Sequence, residues 1–383
     1  MLRLYGQIGV SPCLEDAPPG RLYLCIATTP MNLSLRRYTL PLTAPLTLKG
    51  TEHTAREGAL VRLDDDAHTG WGDVAPLPGF SAETLTEALA DIRRATDVFA
   101  GRTPGPEWAD PNAEIHRALD ALGLVPSARF GLDLAVFDLA AQASGRTLAQ
   151  AMHPDPEVTV PVNALLTGEG DVPAEAERLA TAGYRTLKLK VGRAGLDDEI
   201  ALVRTLRERL PDIALRLDAN QAWTMDEAVR FAEGVAGVGL DYVEEPLREP
   251  ADLPVLWFDT QLPVALDESL VGTEPDALQG KGWATAAVLK PTLLGGVVRT
   301  LRFAAQAKSL GIRPVLSGAF ESGVAMRGHV ALAAATGAAP AGLDPYRRLA
   351  ADVLTPRLPL DRPTVDVPAF FRTERAVEIP EPW

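Results

Sequence analysis

Between residues 158 and 344 the chain repeats one rhythm. Eight short β-rich runs recur: VTVPVNALL, YRTLKLKV, IALRLDAN, LDYVEEP, LPVALDE, AAVLKP, RPVLSG and AAPAGLD. Their centres lie roughly 22 to 28 residues apart, the period of a βα unit. Helical patterns such as DDEIALVRTLRERL and TMDEAVRFAEGVAG fill the intervals. Parallel strands need crossovers of this length, and eight of them close into a TIM-like barrel with helices outside. An open doubly wound sheet is the competing arrangement. It gathers functional residues at one switch point, whereas here polar residues end many consecutive strands. The barrel is therefore expected over residues 126–350, opened by an apolar helix, ARFGLDLAVFDLAAQASG.

The flanks read differently. Residues 31–125 begin with strand-like LSLRRYTL and GALVRLDD and continue into SAETLTEALADIRRATDVFA, an α+β lobe. Ser81 is expected to cap that helix, with Glu83 and Glu87 favouring its first turns. The tail, 351–383, is Pro-rich, and its run RAVEIP is expected to return to the first lobe. Residues 1–30 have Glu15, Asp16, Pro18 and Pro19 breaking any apolar stretch, so they do not read as a signal peptide. They are expected to be an extension, disordered or an upstream start codon read in error. A chain starting at Met31 is expected to keep full activity and stability.

Composition removes several classes of function. The formal net charge of -14 repels phosphate backbones and anionic membranes, so neither nucleic acid nor membrane is an expected partner. An anionic substrate then needs a local positive site. No apolar run reaches the roughly 18 residues that span a bilayer, and the cytoplasm is the default location. Cys13 and Cys25 are the two cysteines, which excludes a disulfide framework and a thiol nucleophile in the body of the chain. A homo-oligomer is left open.

Strand alternation sorts the polar residues. In TLKLKV, Leu187, Leu189 and Val191 share one face and Lys188 and Lys190 the other. In LRLDAN, Arg216, Asp218 and Asn220 oppose Leu215 and Leu217. Glu244 closes YVEEP with Glu245 pointing away, Asp267 points inward ahead of Glu268, and Lys290 ends VLKP. Burying unpaired charge is costly, so inward charges on successive strands have to compensate one another, and a metal ion does this economically. Asp218, Glu244 and Asp267 are expected to converge at the C-terminal mouth of the barrel. Three carboxylates without histidine or cysteine favour a hard cation, Mg²⁺ before Mn²⁺. Lys190 has Lys188 as a like-charged neighbour, which is expected to lower its pKa and make it a base; Lys290 approaches from the other side. Taken singly, KxK, DxN, EEP and DES are ordinary strand ends and caps. Their order at barrel spacing is the specific signal. His53, His68, His116, His153 and His329 lack paired metal spacing and read as surface or satisfied histidines.

These motifs resemble the enolase superfamily, in its muconate-lactonising-type subgroup, and most closely the o-succinylbenzoate synthase family of menaquinone biosynthesis. GWGDVAPLPGFSAET, LRLDANQAW, LKPTLLGG, SGAFESGVA and GLDPYRRLAADV carry the resemblance, which runs from about Leu33 to Val353. It implies an α+β capping domain on a (β/α)7β barrel. It implies a lyase that dehydrates 2-succinyl-6-hydroxy-2,4-cyclohexadiene-1-carboxylate to 2-succinylbenzoate. By resemblance, Asp218, Glu244 and Asp267 bind Mg²⁺; Lys190 takes the α-proton and returns it to the leaving hydroxyl; Lys290 stabilises the enediolate. Lys188 orients the carboxylate, Ser317, Gly318 and Ser322 hold the succinyl chain, and Arg56 closes over the substrate. Asn220 and Glu268 orient the metal ligands.

Relatives that racemise N-acylamino acids use the same lysine pair. They carry a Pro-Gly-Trp-Asp run where this chain has VGRAGLDDE, which favours a dedicated synthase. Dipeptide epimerase and muconate cycloisomerase share the metal set but fit SGAFES less well. A catalytically inactive binding protein on a barrel is the reading from a different class, and a missing ligand or lysine would support it; none is missing.

Overall fold

The computed structural model describes residues 31–65, 67–337 and 339–379. The expectation for residues 1–30 lies outside the described residues. Three antiparallel strands open the fold: β1 (Asn32–Leu48), β2 (Thr51–Asp64) and β3 (Thr69–Val74), paired in that order. Helices α1 (Leu85–Arg94), α2 (Thr96–Phe99), α3 (Glu114–Asp120) and α4 (Pro126–Ala143) follow. The cap of α1 is Thr84, three residues beyond the expected Ser81. Thr84 and Glu87 form a reciprocal capping box, while Ser81 Oγ accepts from the Leu77 N–H at 2.9 Å. Glu83 also serves elsewhere, accepting from the Ser127 N–H at 2.9 Å.

Helix α4 is apolar on nearly every side and almost wholly buried. It lies against β3 at backbone distance. A Cβ added to Gly72 would sit 1.8 Å from the Gly131 carbonyl oxygen, and one on Gly70 would sit 2.1 Å from that of Ala135. The glycines of GWGD are thus required by a close approach. Leu63, Val74, Ile92, Phe99, Leu132 and Val136 fill the space between sheet and helices.

The eight repeated runs form one parallel sheet: β5 (Ala164–Leu166), β6 (Thr186–Lys190), β7 (Ala214–Asp218), β8 (Tyr242–Glu244), β9 (Val264–Leu266), β10 (Ala286–Leu289), β11 (Arg313–Ser317) and β12 (Ala339–Gly342). The order is sequential, and a parallel bridge from Val162 to Ala341 joins the two edges into a barrel. The expected TIM-like barrel with a separate α+β domain is what forms. Its helices include α5 (Leu148–Met152), α6 (Val172–Thr181), α7 (Leu196–Arg209), α8 (Met225–Gly234), α9 (Leu253–Thr260), α10 (Pro291–Leu294), α11 (Val297–Ser309) and α12 (Gly323–Thr336). Leu187, Leu189, Leu215 and Leu217 face these helices as the alternation requires, all buried. The lower interior holds Tyr242, Ala265, Ala286, Val288 and Val315. Arg216 stacks 5.0 Å over the Tyr242 ring and is neutralised by Asp241 at 2.8 Å.

The tail corrects one expectation. Its strands β13 (Leu354–Thr355) and β15 (Ala376–Val377) pair with each other. Strand β14 (Thr364–Asp366) pairs with β4 (Thr159–Pro161), at the barrel's entry strand rather than the first lobe. The link to the first lobe lies earlier, where the Ala350 N–H donates to the Pro41 carbonyl at 2.8 Å. Among the described residues no helix is long and apolar enough to cross a membrane.

Candidate active site

Strand register brings the charged residues together at the C-terminal mouth. Lys188 pairs with Arg216, Lys190 with Asp218, and Asp218 with Glu244 across three neighbouring strands. Lys188 Nζ donates to both Glu244 oxygens at 2.9 and 2.7 Å and lies 2.8 Å from Asp218 Oδ2. Lys190 Nζ donates to Asp218 Oδ2 at 2.6 Å and to Asn220 Oδ1 at 2.7 Å. Lys290 is ion-paired with Asp267. Asn220 passes its own amide to Glu268 Oε1 at 2.9 Å, so it ties Lys190 to the fifth barrel strand's end.

Three ammoniums thus meet four carboxylates in a buried ring. Burial lowers the pKa of Lys188, but Asp218 and Glu244 outweigh it and hold that pKa well above the ordinary lysine value. Burial likewise opposes the charge on Lys290, and Asp267 overcomes it. Asp218 is driven far down by Lys188 and Lys190 in spite of burial. Glu244 moves the other way, pushed up to about 8 by burial and by Asp218 beside it. Burial also raises Asp267 and Glu268. Lys188 is ion-paired with Asp218 and Glu244 together.

The carboxylates on Asp218, Glu244 and Asp267 suit a hard divalent cation. All their donors are oxygen, and burial raises Glu244 and Asp267 in spite of the lysines, so their charged forms would gain from a cation beside them. As placed, each of the three is turned onto an ammonium, and among the described residues no three acids, histidines or cysteines are grouped to hold a metal ion. Seating a cation there requires these ion pairs to open.

A cavity of about 360 Å³ lies above the ring. Lys190, Lys290 and Asn220 line its polar side; Leu46, Leu48, Leu77 and Phe80 from the first lobe line its apolar side. A carboxylate can lie on the first while an apolar ring lies on the second.

The residues expected to hold the acyl chain divide. Gly318 lines the cavity, although its N–H is engaged by the Gly342 carbonyl at 2.9 Å. Ser317 is buried, with its hydroxyl 3.4 Å from the same carbonyl. Ser322 is not in the mouth: it caps α12 and donates its hydroxyl to Asp73 Oδ2 at 2.7 Å. Arg56 also departs from expectation. It is 2% exposed and donates to the carbonyls of Phe320, Pro76 and Ala75 at 3.2, 3.1 and 3.0 Å. It therefore holds the segment above the cavity rather than reaching substrate.

Alternation placed Glu245 pointing away from Glu244, but the roles of three buried acids, Glu245, Glu321 and Asp73, escaped the sequence. Glu245, with φ of 40°, is fully buried and accepts from the N–H groups of Asp267 and Ser269, both at 2.8 Å. Glu321 is buried and accepts from Ala319 N–H and Thr292 Oγ1, with His329 Nε2 at 3.4 Å. Asp73 receives Tyr38 and Ser322 together. The available signal was an acid inside an otherwise apolar or glycine-rich run, as in GWGDVAP and GAFESGVA.

Comparison with known proteins agrees with this architecture. Residues 31–139 match the MenC N-terminal domain, and residues 171–370 match the family described as enolase C-terminal domain-like. The chain is 30% identical to the o-succinylbenzoate synthase of Vibrio cholerae serotype O1 (strain M66-2), covering 92% of each. It is 34% identical to that of Yersinia enterocolitica over 76% of this chain and 83% of the relative. Among solved structures, a dipeptide epimerase from Enterococcus faecalis V583, complexed with Mg and the dipeptide L-Leu-L-Tyr, superposes with a TM-score of 0.79. It is 25% identical, with 91% of this chain and 98% of that one covered. An N-succinyl Arg/Lys racemase from Bacillus cereus ATCC 14579, 22% identical, shares the fold at a TM-score of 0.75 over 89% and 92% of the two chains. The chain belongs to the o-succinylbenzoate synthase family of the enolase superfamily.

Proposed function

We propose that Lys190 and Lys290 carry out the syn-dehydration of 2-succinyl-6-hydroxy-2,4-cyclohexadiene-1-carboxylate to 2-succinylbenzoate, a step of menaquinone biosynthesis. The observation that carries this reading is their shared position. Both lysines line one cavity, each anchored by a different carboxylate of the buried ring.

Lys190 in its neutral form takes the proton from the carbon bearing the ring carboxylate. The ammonium so formed gives that proton to the departing hydroxyl, which leaves as water, and the ring becomes aromatic. One residue serves as base and then acid on the same face. Asn220 keeps the Lys190 amine aimed by accepting from it at 2.7 Å. Lys290 stays cationic, as its raised pKa requires, and stabilises the negative charge that grows on the substrate carboxylate. Lys188 bridges Asp218 and Glu244 and fixes their spacing. Asp218, Glu244 and Asp267 would hold a divalent cation, Mg²⁺ ahead of Mn²⁺, which when bound neutralises charge on the substrate carboxylate. Glu268 acts through Asn220. The partner is a small-molecule carboxylate and the place of work the cytoplasm.

The test is formation of 2-succinylbenzoate from the cyclohexadiene carboxylate, run beside racemisation of N-succinyl amino acids. Dehydration in Mg²⁺ is the expected result. Racemisation or deuterium exchange without dehydration assigns the same lysines to the racemase reaction instead.

A further inference from the structure

The catalytic cavity adjoins a second, larger one of about 790 Å³, set between the loop after β5 and the chain after β12. Three residues line both: Leu165, Thr167 and Arg348. The arginines of the outer cavity are not equivalent. Arg178 is paired with Glu175 at 2.6 Å and Arg347 with Asp344 at 3.1 Å. Arg348 is half-buried, and among the described residues its guanidinium has neither a hydrogen bond nor an ion pair. Lys49 and Arg193, the other cations on the rim of the catalytic cavity, are exposed, and Lys49 lies 5.0 Å over the Phe80 ring.

A guanidinium partly withdrawn from water is suited to a carboxylate, because its N–H groups form a planar fork that matches two carboxylate oxygens. The Thr167 hydroxyl at the same junction adds a further donor. Of the acids that line the outer cavity, Glu175 and Asp344 are ion-paired to Arg178 and Arg347, Asp171 caps α6 by accepting from the Ala174 N–H, and Glu169 is exposed.

We propose that Arg348 is a specificity-determining residue. It receives a second carboxylate, at the far end of the substrate's acyl chain, while the ring carboxylate lies between Lys190 and Lys290. This rests on the reaction assigned above, whose substrate carries one carboxylate on the ring and another at the end of the succinyl arm. The chemical class selected is thus a dicarboxylate with one acid on each side of the junction.

The experiment compares 2-succinylbenzoate with its terminal amide, titrated calorimetrically in Mg²⁺ into the wild type, Arg348→Gln and Arg193→Gln. The wild type is expected to prefer the acid by about tenfold or more, the contribution of a charged hydrogen-bonded pair. Arg348→Gln is expected to bind acid and amide alike, and Arg193→Gln to keep the preference. In turnover, Arg348→Gln is expected to raise KM by about tenfold with little change in kcat, and Arg348→Lys to recover part of it. A preference that survives in Arg348→Gln, or is lost in Arg193→Gln, overturns the assignment and leaves the dehydration untouched. A wild type that neither binds nor forms 2-succinylbenzoate overturns the reaction itself, and the assignment with it.

Discussion

Ser322 donates its hydroxyl to Asp73 Oδ2 at 2.7 Å while Tyr38 donates to Oδ1 at 2.8 Å, so one buried carboxylate fastens the first helical turn of α12 to the capping sheet. Burial pushes Asp73 up to about 6, although its hydrogen bonds from Ser322 and Tyr38 pull the other way. A carboxyl with a raised folded pKa contributes stability that is complete below its unfolded pKa and lost as pH rises through the folded one. Wild-type stability in denaturant titrations is therefore expected to fall between about pH 4 and 6 by this group's share. Asp73→Asn is expected to flatten that slope. It should also cost about 1–3 kcal/mol throughout, because the amide keeps one acceptor oxygen and sets a donor against the Tyr38 or Ser322 donors in place of the other. An unchanged slope in the variant would refute the role.

Glu321, on the same interface, has the opposite sign. Burial opposes its charge, but His329, the Ala319 N–H and the Thr292 hydroxyl win and lower it to about 2. Its contribution is present above the ordinary glutamate value and lost as pH falls toward 2. Glu321→Gln is expected to show a shallower acid limb and to lose on the order of 3 kcal/mol at neutral pH, taking about 1.4 kcal/mol per unit. Acid titration followed by circular dichroism measures this.

Arg56 holds three backbone carbonyls in a site that is 2% exposed. Arg56→Met leaves them unpaired and is expected to cost about 2–4 kcal/mol. Because Phe320, held at φ 63°, lines the cavity, kcat should fall as well. Arg56→Lys is expected to recover only part of both, since an ammonium cannot span the three carbonyls. Thermal unfolding beside steady-state kinetics separates the two effects.

Lys190→Ala and Lys290→Ala are each expected to lower dehydration by about a thousandfold or more while calorimetry still records Mg²⁺ binding. Full activity in either variant would sink the assigned mechanism.

Glu244 supplies a complementary test. Burial and Asp218 beside it hold its pKa above the ordinary glutamate value, so its charged form is disfavoured in the metal-free chain. Glu244→Gln should therefore leave the metal-free melting temperature unchanged or slightly higher. The Mg²⁺-induced increment, about 2.7 kcal/mol at a hundredfold excess over Kd, should disappear. A retained increment removes Glu244 from the cation site.

The barrel strands and their inward residues were legible because both depend on local period. Lys188 and Lys190, or Arg216 and Asp218, are sorted by alternation alone, and the structure keeps that order. Ser322 was misplaced because its partner Asp73 lies 249 positions away, and Arg56 because its site closes only when Phe320, 264 positions away, joins Ala75 and Pro76 around it, where no local pattern points. The Thr84 cap shows a finer limit. SAET offers two capping residues, and Glu87 decides between them by standing three positions after Thr84. The tail's pairing with β4 depends on which edge the barrel leaves free, a property of the assembled sheet.

The bare contact of Gly70 and Gly72 with α4 has a kinetic consequence. At these two glycines the backbones of strand and helix meet with no side chain between them, so sliding of β3 over α4 is blocked there, and the capping sheet is fixed to a helix that the barrel also packs on. Admission of substrate then falls to the hairpin tip around Leu46–Lys49 and the loop around Leu77–Phe80, whose excursions belong to the nanosecond-to-microsecond range rather than to the slower hinge motions of whole domains.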